Sequence, residues 1–256
     1  MSQPDKADTA PRHAERERIK RDFIDRRGYW RPWVETLLDA SPGFVDQYAR
    51  YAGHPALTGP LSARMVELIY VALDSSASHL FESGLQTHMQ KAVEAGATPA
   101  DLFDVLHLVA VQGVAGVCLA TDILADCAAQ AGLPMPAAPD AALQARLDRV
   151  GAEHALGLDA VARRDPAYAE VLLDFIEKGR PAAGGLSPAE RSLVQLALHA
   201  CFTAFQPEAV RRIVGTGLAQ GLGTAELSQA IQLGAHLAVH GTALGAKVFR
   251  QLGGQP

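Results

Sequence analysis

The chain has 256 residues, 48% of them hydrophobic but only 6% aromatic, and a formal net charge of −5. That length allows one large or two small domains with a real core. The mild acidity, with no basic stripe beyond the N-terminal tail, argues against a nucleic-acid surface. Alanine, leucine and valine dominate, which favours close-packed helices over a sheet.

In chain order, residues 1–20 read as a solvated or disordered tail without the apolar stretch of a signal peptide. Helices are expected over 14–26, 30–40 and 43–52, as a lead-in. A first repeat unit follows. Its first helix covers 61–73, with an apolar face at 65, 66, 68, 69, 72 and 73 and Ser62 as N-cap. The second helix, 83–94, ends at Gly96, a glycine suited to a left-handed C-terminal turn. Thr98 then caps a third helix with Pro99 and Asp101 in its first turn, running to 111. A fourth spans 114–130. The Pro- and Ala-rich stretch 132–140 marks the linker, and further helices are expected over 143–162 and 166–178. No run alternates as a strand would. No charge-free apolar run reaches ~18 residues, so no membrane span is expected.

The strongest signal is an internal repeat. Adding 125 carries Leu61-Ser62 onto Leu186-Ser187, Gly96 onto Gly221, Thr98-Pro99-Ala100-Asp101-Leu102 onto Gly223-Thr224-Ala225-Glu226-Leu227, Leu108 onto Leu233 and Gly116 onto Gly241. The expected organisation is a tail (1–20), a first unit with its lead-in helices (21–134), a linker (135–142) and a second, degenerate unit (143–253).

The two copies part company at ionisable positions. Glu67, His79, Glu82 and His88 become Ser192, Ala204, Pro207 and Ile213. Two histidines and two glutamates in one region suit general acid–base chemistry, since imidazole titrates near neutrality and a carboxylate fixes its tautomer. His107 and Gln112, on the third helix, and Phe81 are candidate substrate contacts. The four ionisable residues lack H-x-x-x-H or E-x-x-H spacing, and no metal is expected. His236 and His240 do have metal-compatible spacing, on what reads as one helical face, but packing is the preferred reading. The cysteines Cys118, Cys127 and Cys201 form no C-x-x-C pair, as expected of buried free thiols in a reducing cytoplasm.

The pattern Leu61-Ser62, Glu67-Leu68-Ile69, His88-x-x-x-Ala92-x-x-x-Gly96-Ala97-Thr98, Asp101-Leu102 resembles the carboxymuconolactone decarboxylase-like family, within the alkylhydroperoxidase D-like superfamily. The resemblance implies an all-α fold, here a tandem duplication of an alkylhydroperoxidase D-like helical bundle. It also implies cofactor-free decarboxylation of a small carboxylated lactone from aromatic breakdown. His88 would be the proton source, Glu67 or Glu82 would orient it, and His79 would be a second donor. Isomerase or hydrolase chemistry on the same scaffold, or a non-enzymatic assembly role, are the alternatives. The peroxidase branch uses C-x-x-C-x-x-x-H, but the two thiol positions hold Phe81 and Gly84, which disfavours that activity. The expected partners are a small-molecule substrate and further copies of the chain, as a trimer of fused pairs or a dimer, with no nucleic acid and no membrane.

Overall fold

A computed structural model describes residues 9–154 and 156–253. The protein is all-α, with no strand among the described residues. The repeat reappears in the helix bounds. In the first copy α4 (Ala63–Ser75), α5 (Glu82–Glu94), α6 (Pro99–Gln112) and α7 (Val114–Gln130) follow one another. In the second, α11 (Pro188–Ala200), α12 (Pro207–Ala219), α13 (Thr224–Ala235) and α14 (Val239–Gln251) each start 125 residues later.

The local chemistry explains the match. Ser62 and Ser187 each accept a hydrogen bond from the backbone of the first turn, and Thr98 with Asp101, like Ser187 with Glu190, forms a full capping box. Gly96 and Gly221 both adopt positive φ, 95° and 91°. The residue after each bonds back to the preceding helix, Ala97 N–H to Ala92 O and Leu222 N–H to Gly217 O, closing a turn that a residue with a Cβ adopts only under strain.

The chain divides into two compact units. One comprises, among the described residues, 9–59 with 235–253. It holds α1 (Thr9–Arg27), α2 (Pro32–Ala40), α3 (Pro42–Thr58) and α14. Its core centres on fully buried Phe23, which meets Tyr29 and Trp30 edge-on at 5.4 Å. Such pairs add about 0.5–1.5 kcal/mol each beyond area burial. Val34, Leu38, Val45, Ala52 and Val239 complete the cluster. Buried Arg27 donates to Ala52 O at 2.9 Å and lies 3.2 Å from His236 Nε2.

The other unit, residues 60–234, contains α4–α13. The paired helices α4 and α11 are buried along most of their length, through Leu68, Ile69, Val71, Leu73, Leu193, Val194, Leu196 and Leu198. The equivalent backbone groups Leu61 N–H and Leu186 N–H are held by equivalent acceptors, Gln229 Oε1 at 2.7 Å and Asp104 Oδ2 at 3.0 Å. α7 packs with α8 (Ala141–His154), α9 (Asp159–Arg164) and α10 (Pro166–Lys178). So α7 of the first copy rests on the lead-in helices of the second, and within the other unit α14 of the second copy rests on those of the first.

Several expectations are revised. α1 begins at Thr9 and α3 continues to Thr58 through Pro55, while residues 1–8 of the expected tail lie outside the described residues. The single helix expected over 143–162 is two, α8 and α9, separated by a loop that buries Leu156 and Leu158. His236 and His240 do not share an α-helical face, because a 3₁₀ turn, His236–Ala238, intervenes. Cys118 and Cys201 are buried, but Cys127 is exposed. The stretch Pro99–Gln130 has the length and hydropathy of a membrane span by composition alone. It is divided at Gly113, and α6 buries Asp101, Asp104 and His107 against protein, as a core helix does.

Candidate active site

α4 presents Glu67, Tyr70 and Asp74 at i, i+3 and i+7, one face of a helix. That face meets α5, which carries His88 in its second turn. Glu67 Oε2 lies 2.6 Å from His88 Nδ1, with both side chains mostly buried. On the other side of the ring, His88 Nε2 is 4.0 Å from Asp74 Oδ2, and the Asp74 side chain is 2% exposed. The Tyr70 ring lies against the imidazole, 4.5 Å between centroids. The result is one imidazole between two carboxylates, largely out of water, where charge interactions are strong.

The loop between the helices sets this geometry. Phe81 N–H returns to Asp74 O at 2.9 Å, and Leu80 turns the chain with φ 44°. Phe81 is then the N-cap of α5. Gly84 must be a glycine, since a Cβ there would overlap Asp74 Oδ2.

Of the residues singled out from sequence, the structure brings Glu67 and His88 together. His79 is elsewhere. Its Nε2 lies 3.5 Å from Cys201 Sγ and from Thr203 Oγ1, and its ring meets Phe202 edge-on at 5.9 Å. Burial pushes the His79 pKa down, which favours neutral imidazole at pH 7. Glu82 is the exposed first residue of α5, a position favourable to a carboxylate at the helix dipole. His107 is 3.4 Å from Phe175 O, to which it can donate, and burial lowers its pKa as well. Gln112 donates to Leu198 O at 3.0 Å and so ties α6 to α11.

Tyr70 and Asp74 were not singled out from sequence. A signal existed: they share the helical face of Glu67, and their counterparts are Gln195 and His199. The second copy keeps the positions without the chemistry. Ser192 donates to Gln220, Gln195 donates to Glu153 O, Ile213 is buried, and His199 is pushed to a pKa of about 4 by burial. Among the described residues, no group of three or more His, Cys, Asp or Glu is arranged to hold a metal ion.

Known proteins place this cluster in context. The chain is similar over 98% of its length, with a TM-score of 0.81 and 23% identity, to 98% of a Burkholderia xenovorans LB400 protein whose crystal structure is described as that of a "putative gamma-carboxymuconolactone decarboxylase subunit". At that identity the likeness shows a shared fold. No curated protein matches the chain. Residues 42–128, which contain Glu67, Tyr70, Asp74 and His88, match the Carboxymuconolactone decarboxylase family, so the first copy carries the signature of the family that its sequence resembles.

Proposed function

We propose that the protein is a cofactor-independent decarboxylase acting on a small carboxylated lactone, or a related acid whose carboxylate is conjugated to a carbonyl. The observation that carries this reading is the 2.6 Å contact between Glu67 Oε2 and His88 Nδ1, in a buried cluster within the segment that matches the family. With Nδ1–H donated to Glu67, Nε2 is the atom left to exchange a proton with substrate.

In the proposed reaction the bond to the carboxylate breaks and CO₂ leaves. Its electron pair moves through the conjugated system onto the carbonyl oxygen and forms a dienolate. Protonated His88 then delivers its Nε2 proton to carbon, and solvent restores the imidazolium. Glu67 and Asp74, on either side of the ring, favour that cation before transfer. Tyr70 covers one face of the imidazole and restricts water. His79 and Glu82, which the structure does not bring into the pair, are assigned no step.

The test is incubation of the purified chain with 4-carboxymuconolactone, following CO₂ release and the product by NMR. Turnover with CO₂ is expected, and its loss in His88→Asn. A product formed without CO₂ would favour an isomerase or hydrolase, and full activity in His88→Asn would remove the assignment.

A further inference from the structure

A second cavity lies where α7 of the first copy meets the degenerate copy. A cleft of about 290 Å³ lies between α7, the loop after α8 and the first turns of α12. α12 is the counterpart of α5, so the cleft is built on the helix equivalent to the one carrying His88. Arg212, Ala209 and Gln206 stand where the first copy has Thr87, Gly84 and Phe81. The volume is at the small end for a ligand pocket.

Its lining is mostly apolar and carries three charged groups, Asp122, Glu208 and Arg212. Leu119, Leu156 and Phe205 supply carbon surface. Cys118, whose thiol burial pushes up to about 11, adds an uncharged wall at neutral pH. Arg212 enters no hydrogen bond or ion pair among the described residues. Arg211, not Arg212, approaches Glu208, at 4.0 Å. Asp122 faces Arg212 across Gly157. A Cβ on Gly157 would lie 3.2 Å from Arg212 Nη1 and 3.6 Å from Asp122 Oδ2, so the absence of a side chain there keeps the space between the charges open. Burial raises the Asp122 pKa, and Arg212 only partly opposes this.

We propose that this cleft is a second, non-catalytic ligand site for a small organic acid. Arg212 takes the carboxylate, Asp122 takes a hydrogen-bond donor on the same molecule, and Leu119, Leu156 and Phe205 contact its carbon skeleton. A guanidinium with no hydrogen-bond partner among the described residues suits a carboxylate, and a molecule carrying both an acid and a hydroxyl matches Arg212 and Asp122. Without a counterpart of the Glu67–His88 pair, the site binds and does not turn over.

The experiment is calorimetric titration of the full chain with 4-hydroxybenzoate, in a Glu67→Gln/His88→Asn background so that the first copy's cluster does not contribute. One saturable site is expected at millimolar affinity or better. Arg212→Gln and Gly157→Val, the second of which fills the cleft without removing charge, should each weaken it roughly tenfold or more. The methyl ester should fail to bind. Arg212 is exposed and Gly157 half-buried, and circular dichroism checks that both variants fold. Absence of saturable binding, or equal binding in Arg212→Gln and the parent, would overturn the proposal. Because the first copy is disabled throughout, neither result bears on decarboxylation.

Discussion

Glu67 and His88, 21 residues apart in sequence, meet through a 2.6 Å contact between Oε2 and Nδ1. If this pair is the reacting unit, Glu67→Gln should lower kcat by about 10²-fold with little change in KM, and His88→Asn at least as much. The double variant should be no slower than the worse single, because groups acting as one unit are not additive. Steady-state kinetics on 4-carboxymuconolactone decide it, and a multiplicative double variant would show independent roles.

Gly84 tests the packing behind the pair. Helix propensity alone would make Gly→Ala stabilising by up to about 1 kcal/mol. At Gly84 the new methyl collides with the buried Asp74 carboxylate, so Gly84→Ala should instead cost about 1–3 kcal/mol. Gly116, exposed in α7, is the control: a Cβ added there would meet nothing within 4 Å, and Gly116→Ala should gain stability. Denaturant melts of both variants make the comparison.

The two copies hold the equivalent amides of Leu61 and Leu186 differently. Gln229 does so as a neutral amide. Asp104 does so as a carboxylate that also binds Arg191 Nη1 at 2.6 Å, with both side chains buried. Arg191→Val alone leaves that carboxylate uncompensated and should cost about 3–5 kcal/mol. Adding Asp104→Asn imitates the first copy, where the Arg191 position is Val66, and should recover much of the loss. Urea unfolding of the single and double variants reads the difference.

Stability should fall on acidification. His154 and His199 are held neutral chiefly by burial, with pKa values lowered to about 3 and about 4. In the unfolded chain both regain a pKa near 6.5. The unfolded state therefore binds more protons between pH about 6.5 and about 4, and stability drops as pH falls through that window. Each histidine contributes a slope of up to about 1.4 kcal/mol per pH unit. Thermal or urea melts at pH 7, 6 and 5 should show the decline, and His199→Asn should flatten it. An unchanged slope in that variant would remove His199 from the account.

The repeat, its caps and the helical class were legible because they rest on local chemistry. Ser62, Thr98 and Ser187 cap within three residues, and Gly96 and Gly221 need only their own φ. The break between α8 and α9 was not legible. An apolar pattern continues through Leu156 and Leu158, and both leucines, either side of Gly157, are buried in a loop rather than on a helix face.

The candidate site divides the same way. Residue types and the asymmetry between copies marked Glu67 and His88 as unusual. They did not say that His79 turns to Cys201, that Glu82 faces water, or that Asp74 completes the other side of the imidazole. Those outcomes depend on how α4 rotates against α5 and on the path of the loop through Leu80, quantities set by packing between elements. Local chemistry along the chain specifies two copies of a capped helical unit, one of them chemically furnished. Which of its charged groups meet is set by packing in the folded molecule, because a side chain's partner across a helix interface is chosen by contacts that no local rule encodes.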